Sequence, residues 1–142
     1  MEIVAALICD AATVREGLLN VLGAGIARLW RPQLPAPLSI DFATLISCPQ
    51  EQIGRPHEIE VRITDPSGNA AAVAMGAFKM ERAQRLEDGE AQALPLVLSF
   101  KAVATKEFGR HRLTATIDHD PATTKELDFW VLHRDELKIP PL

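Results

Sequence analysis

The stretch His57-Glu58-Ile59-Glu60-Val61-Arg62-Ile63-Thr64 alternates apolar and polar residues without a break. Side chains at successive positions of a strand point to opposite faces of a sheet, so this stretch has one apolar face and one charged face. The apolar members are Ile59, Val61 and Ile63. The pattern is typical of an antiparallel strand that is buried on one side only.

A turn follows this strand at Asp65-Pro66-Ser67-Gly68-Asn69, where proline suits the second turn position and Gly68 tolerates a positive φ. Residues 70–80 then return as the second strand of a hairpin. Their apolar face changes near Gly76, from Val73 and Met75 to Phe78 and Met80. We interpret this change as a β-bulge at Gly76.

The C-terminal third has the same alternation in three further runs, at residues 94–100, 110–117 and 126–133. The positions on the apolar faces of these runs and of residues 57–64 are predicted to form the core: Ile59, Val61, Ile63, Leu96, Leu98, Leu113, Ile117, Phe129 and Val131.

The first third is more apolar on both faces. Residues 3–9 predict a strand covered on both sides, and residues 39–47 predict a strand with one apolar face. Residues 10–17 predict one helical turn that ends at Gly17. Residues 18–30 predict one long strand, bent where Gly23 and Gly25 interrupt it.

These runs amount to about eight strands, separated by turn signals, without a convincing long helix. The predicted fold is all-β, a single antiparallel β-sandwich of immunoglobulin-like or C2-like type. Residues 1–133 form the predicted domain, and residues 134–142 form a C-terminal tail. The tail ends in prolines and either frays or adds to a sheet edge.

Composition excludes several classes of protein. The chain has 142 residues, of which 47% are hydrophobic and 24% charged, as in an ordinary globular domain and unlike a disordered chain. A net charge of −4 argues against nucleic-acid binding, and we expect no membrane contact. The apolar run at residues 3–9 is too short for an export signal or a membrane span. The predicted location is the cytoplasm, with Cys9 and Cys48 as thiols.

Motifs across the chain support a resemblance. They are Leu7-Ile8-Cys9-Asp10, Gly17-Leu18-Leu19-Asn20-Val21-Leu22-Gly23, the proline-rich Arg31–Leu38, Phe108-Gly109-Arg110-His111-Arg112-Leu113 and Asp128-Phe129-Trp130-Val131. In these motifs the chain resembles a family of small, uncharacterised bacterial β-sandwich proteins of unknown function. The resemblance implies a fold and assigns no activity.

Residues for chemistry are sparse. No Gly-x-Ser-x-Gly motif is present, and neither cysteine lies in a basic setting, so no catalytic residue is assigned. The turn Asp118-His119-Asp120 has three metal-ligand types, yet its simplest interpretation is a polar turn bonded to its own backbone. We therefore expect no metal site and no cofactor. An alternative function is a small hydrolase or metal-dependent enzyme that uses His111, His119 and nearby carboxylates.

A surface near the proline-rich segment favours binding instead. Arg28 and Trp30 share one face of the predicted long strand, and Arg31 follows directly. Arginine and tryptophan are enriched at interface hot spots. We assign Arg28, Trp30 and Arg31 as a candidate interaction surface. In the alternative interpretation, Trp30 closes one end of the hydrophobic core. The predicted function is a non-enzymatic binding or scaffold module that contacts a protein partner or forms a homo-oligomer.

Overall fold

The computed structural model describes residues 1–83 and 85–137, and this part of the chain is all-β, as predicted. Three short 3-10 turns (residues 50–52, 121–123 and 134–136) accompany twelve strands, where the sequence predicted about eight. The strands are β1 (Glu2–Cys9), β2 (Ala11–Arg15), β3 (Leu18–Leu22), β4 (Arg28–Arg31), β5 (Ala36–Pro37), β6 (Asp41–Cys48), β7 (Pro56–Thr64), β8 (Ala70–Lys79), β9 (Gln92–Ser99), β10 (Ala104–Thr105), β11 (Gly109–Ile117) and β12 (Lys125–His133).

The strands form four sheets rather than one simple pair. A five-stranded sheet has the order β4-β12-β11-β7-β8, and a three-stranded sheet has the order β1-β6-β9. The short pairs β2-β3 and β5-β10 complete the structure. Neighbouring strands are antiparallel except β4, which runs parallel to β12 at one edge of the five-stranded sheet.

The core contains buried side chains from both larger sheets. Phe42 and Ile46 of β6 belong to the same hydrophobic cluster as Leu113 of β11 and Phe129 of β12. Seven of the nine predicted core residues are buried; Leu96 and Leu98 are only half-buried because β9 is an edge strand. The alternation of apolar residues therefore predicted the buried faces of β7, β11 and β12.

The predicted helical turn at residues 10–17 is wrong. The structure has the hairpin β2-β3 there, with Glu16 (φ 54°) and Gly17 (φ 73°) in the connecting turn. Positive φ at both central residues defines the two-residue type I′ turn that suits the twist of a hairpin. Gly17 is needed for this turn and does not end a helix.

The predicted long strand at residues 18–30 is also wrong. It is two strands in different sheets, since β3 pairs with β2 and β4 pairs with β12. Gly23 and Gly25 have φ angles of 62° and 90°. Residues other than glycine rarely adopt this backbone conformation. The two glycines redirect the chain from one sheet to the other instead of bending a single strand.

The bulge predicted at Gly76 is not there. Gly76 pairs in register with Ile59, and the irregularity lies at the other end of the hairpin, between Ile63 and Thr64. Ala72, Ala74, Gly76 and Phe78 face inward, so the small residues of β8 cover the core. Val73 and Met75 consequently lie on the outer face, 48% and 55% exposed.

The sequence predicts a C-terminal tail over residues 134–142. Strand β12 ends at His133, and a 3-10 turn covers Arg134–Glu136. Residues 138–142, on which the sheet-edge interpretation of the tail depends, lie outside the described residues. In the two described ranges no helix is long and apolar enough to cross a membrane.

Candidate interaction surface

Both tryptophans of the chain lie on the outer face of the five-stranded sheet. Trp130 of β12 stands directly between Arg28 of β4 and Arg110 of β11 in the strand registers, and Leu132 stands beside Trp30. We call Arg28, Trp30, Arg110, Trp130 and Leu132 the tryptophan face. Its β4 and β12 members line a cavity of about 500 Å³, together with Ala27 and Glu136.

Alternation within the two strands explains this placement. In β12 the buried Phe129 and Val131 point inward, so Trp130 and Leu132 must point outward. In β4 the buried Leu29 points inward, and Arg28 and Trp30 point outward. The amide of Trp130 donates a hydrogen bond of 2.9 Å to the carbonyl of Ala27, which helps to fix β4 against β12.

The tryptophan face has a basic rim. Within the described residues neither Arg28 nor Arg110 forms an ion pair, although both are exposed. Arg112, the next outward residue of β11, behaves differently: its Nε lies 2.8 Å from Asp128 Oδ1. The hydrogen bond from Arg112 holds the pKa of Asp128 below its usual range. Two unpaired guanidinium groups therefore flank the exposed Trp130.

A second cavity adjoins this rim. It has a volume of about 410 Å³ and is lined by Arg110 and Arg112 and by the turn that joins β7 to β8. Arg110 lines this second cavity, and Trp130, its neighbour in the strand register, lines the first. Cations beside an open aromatic surface are attractive to carboxylates and to apolar or aromatic side chains.

Two of the three predicted surface residues lie together and the third does not. Arg28 and Trp30 are neighbours of Trp130, whereas Arg31 alternates to the side of Leu29. The guanidinium of Arg31 donates to the carbonyl oxygens of Trp30 (2.9 Å), Pro37 (3.0 Å) and Leu38 (2.7 Å). Arg31 thus ties β4 to the proline-rich segment through three of its five N–H donors.

Sequence reasoning missed Trp130. The alternation that predicted Phe129 and Val131 as buried also places Trp130 on the opposite, outward face, so a signal was present. The neighbourhood of Trp30 and Trp130 could not be inferred, because a hundred residues separate them and the β4–β12 pairing is parallel.

The residues of the enzyme alternative are not brought together. His111 is fully buried on the inner face, stacked on Phe129, with its Nε2 2.8 Å from the hydroxyl of Thr105. His119 lies beyond the end of β11, exposed, with its Nε2 3.0 Å from Glu58 Oε1. Six residue steps between His111 and the end of the strand amount to about 20 Å. No group of three metal-ligating side chains occurs in the described ranges.

A histidine that sequence reasoning did not single out is paired. His57 Nδ1 lies 2.7 Å from Asp118 Oδ2, and His57 Nε2 lies 3.1 Å from the carbonyl of Gln52. Asp118 also accepts a hydrogen bond from the amide of Glu58 (2.9 Å). Both ring nitrogens face acceptors, so the pair fastens the turn after β11 to β7.

This pair predicts an acid-dependent contribution to stability. Burial raises the pKa of Asp118, but the hydrogen bonds from His57 and Glu58 outweigh it, and the pKa lies below the ordinary value of 3.8. The stabilisation that Asp118 contributes is therefore complete above the pKa that Asp118 has in the unfolded chain. It is lost as the pH falls through the lower pKa of Asp118 in the folded protein. The substitution Asp118→Asn removes the charge of the carboxylate. Asparagine tolerates the backbone φ of 52° at this position, so the turn should keep its conformation.

We expect Asp118→Asn to be less stable than the original chain near pH 6 and the difference to shrink towards pH 2.5. Thermal unfolding of both proteins over this range measures the difference. A difference that stays constant at every pH would contradict the role given to the pair.

The two cysteines do not offer reactive thiols. Both are free and buried, and burial is the main cause that raises the pKa of each thiol. A raised pKa leaves little thiolate at neutral pH, and the thiolate is the nucleophile. The Sγ of Cys9 donates to the carbonyl of Asp41 at 3.4 Å, as expected of a small structural side chain.

Comparison with known proteins gives one match. The model of a family of unknown function (DUF6941) matches residues 4–129, which is most of the chain. No curated protein and no solved structure matches the chain.

Proposed function

We propose that this chain, which belongs to the DUF6941 family of unknown function, is a non-enzymatic binding module that contacts a protein partner through the tryptophan face. The observation that supports the proposal is the exposed Trp130, next to Trp30 and between the guanidinium groups of Arg28 and Arg110, which form no ion pair with any described residue. Tryptophan and arginine dominate interface hot spots, because they combine large apolar area with polar recognition.

The chemistry of this face specifies the kind of partner. A partner that brings an apolar or aromatic side chain would fill the cavity lined by Trp30, Trp130 and Leu132. Carboxylates at the edge of the same partner surface would pair with Arg28 and Arg110. The proposed partner surface is therefore an apolar centre with an acidic border, although the net charge of this chain is itself −4.

We further propose that the two larger sheets form a sandwich of immunoglobulin-like or C2-like type. The support is the single hydrophobic cluster to which both sheets contribute. In sandwiches of this kind a sheet face or edge commonly mediates binding, which is an argument from analogy. The bacterial origin and the cytoplasmic location inferred from the sequence stay predictions.

The proposal is tested by substituting the aromatic centre. Trp130→Ala is expected to reduce recovery of the partner in affinity capture at least about tenfold, since a hot-spot truncation costs about 2 kcal/mol or more of binding free energy. Trp130 is 39% exposed, so the variant should fold like the original chain. Thermal unfolding checks this point.

The matched control is Leu18→Ala. Leu18 is 67% exposed on the β2-β3 hairpin, away from the five-stranded sheet. This variant is expected to capture the same proteins as the original chain. Recovery that is equal with Trp130→Ala and Leu18→Ala would contradict the proposal, and so would loss of recovery that only follows loss of folding.

A further inference from the structure

Strand β8 is a long free edge of the five-stranded sheet. It has ten residues and pairs only with β7, and no strand in the described ranges pairs with its other side. Alternate backbone N–H and C=O groups along that side are therefore available to another strand. The opposite edge strand, β4, has only four residues and begins and ends with arginine.

The free edge has few of the features that usually prevent pairing with another chain, and its one bulge lies near its start, at Ala71. Natural edge strands are commonly interrupted by proline, by charged side chains or by bulges. Residues 70–78 contain neither proline nor a charged residue, and Lys79 is the first charge. Val73 and Met75 present exposed apolar side chains on the outer face of this strand. This combination marks a strand that is suited to accept a partner strand.

We propose that the occupant of this edge is the β8 strand of a second copy of the chain. The two strands run antiparallel about a two-fold axis perpendicular to the sheet at Ala74, so that the five-stranded sheets of both copies become one continuous sheet. Such an interface is isologous, and each surface contacts its own equivalent. The proposal concerns a different edge from the tryptophan face and does not depend on the proposed function.

This register is favoured by the side chains that it places opposite each other. Val73 of each copy faces Met75 of the other copy. The two-fold axis produces two such pairs, and together they cover all four exposed apolar side chains. On the inner face Ala72 meets Gly76, and the small side chains allow close approach. The Lys79 residues of the two copies lie at opposite ends of the paired strands, so no like charges oppose each other.

Neighbouring charges on β7 agree with a second copy as the partner. Arg62 lies beside Val73, and Glu60 lies beside Met75, in the registers of the five-stranded sheet. In the proposed dimer each Val73–Met75 pair therefore has Arg62 of one copy on one side and Glu60 of the other copy on the other side. Within each copy Arg62 Nη2 lies 3.0 Å from Glu60 Oε1, so the two charges balance each other and do not repel a second copy.

Sedimentation equilibrium over a wide range of concentrations tests the proposal. The original chain is expected to shift from monomer to dimer as the concentration rises. The double variant Val73→Lys with Met75→Lys is expected to stay monomeric, because it places lysines opposite lysines across the edge. Both positions are exposed, so the variant should fold, and circular dichroism checks this point.

The matched control replaces two other exposed apolar residues, Leu18 and Leu22 of β3, by lysine. This control should dimerise like the original chain. A monomer at every concentration, or a dimer that survives the Val73 and Met75 substitutions, would overturn the proposal. A dimer that Trp130→Ala abolishes would also overturn it, because the interface would then be the tryptophan face.

The register has its own measurement. A nitroxide label attached to Lys79→Cys sits at the end of β8, and the native cysteines are buried and should not react. Pairing about Ala74 separates the two labelled positions along the strands by ten residues, about 34 Å. Pairing about Met75 shortens this offset to about 27 Å. The shorter distance, or the absence of any distance between copies, would contradict the register.

Discussion

Phe129→Ala is expected to lower the free energy of unfolding by about 3–5 kcal/mol. Phe129 has no exposed surface, belongs to the cluster shared by the two larger sheets and stacks on His111 with ring centroids 5.2 Å apart. Removing the ring leaves a cavity that its neighbours cannot fill without moving β-strands that are fixed on both sides. Chemical denaturation measures the loss.

Phe108→Ala is the matched control for this prediction. Phe108 is 40% exposed and contacts His133 at the edge of the molecule, with ring centroids 5.4 Å apart. Its removal is expected to cost about 1 kcal/mol or less, as for a partly exposed aromatic pair. Equal losses for Phe108 and Phe129 would mean that the core does not lie between the two larger sheets.

Arg31→Ala is expected to lower the free energy of unfolding by about 2–3 kcal/mol, because three carbonyl groups lose a charged donor. Two of the acceptors, Pro37 and Leu38, belong to the segment that follows β4, and Leu38 is fully buried. Without the guanidinium this segment loses its attachment to the edge of the five-stranded sheet. Thermal and chemical unfolding measure the effect.

Arg31→Lys separates the charge from the geometry. Lysine keeps the positive charge but has no planar fork of donors, so it should restore only part of the lost stability. Partner recovery per folded molecule should be unchanged in both variants, since Arg31 does not belong to the tryptophan face. A stable Arg31→Ala variant that no longer captures the partner would show that Arg31 acts in binding and not in structure.

The sequence predicted the parts of the fold that depend on local alternation. Strands β7, β11 and β12 have one apolar face each, and their buried residues follow from the period of two. The errors lie where conformation depends on distant partners. Gly17 is consistent with a helix end or a hairpin turn, and only the pairing of β2 with β3 decides between them.

Strand β8 shows a second kind of error. The sequence predicts that Val73 and Met75 face inward, because large apolar side chains are usually buried. In the structure Ala72, Ala74, Gly76 and Phe78 face the core, whereas Val73 and Met75 face outward. An apolar strand without charges cannot be oriented from its sequence alone, since either face is acceptable to the core.

The candidate surface was partly predictable for the same reason. Arg28 and Trp30 were assigned to one face by their spacing, and the structure places both on the outer side of β4. Arg110 and Trp130 join them only through the registers of β11, β12 and β4. Local spacing identifies the side chains that share one strand face, whereas sheet order determines which strands contribute to one surface.

Intrinsic fluorescence tests most directly whether the tryptophan face binds the partner. The chain has two tryptophans, both on that face, and no tyrosine, so its emission reports on this surface alone. In the free protein acrylamide should quench the emission readily, because Trp130 is exposed. In a complex of verified stoichiometry with a partner that lacks tryptophan, quenching should fall markedly and the emission maximum should shift to shorter wavelength. Quenching and an emission maximum that are the same in the complex as in the free protein would contradict binding through the tryptophan face.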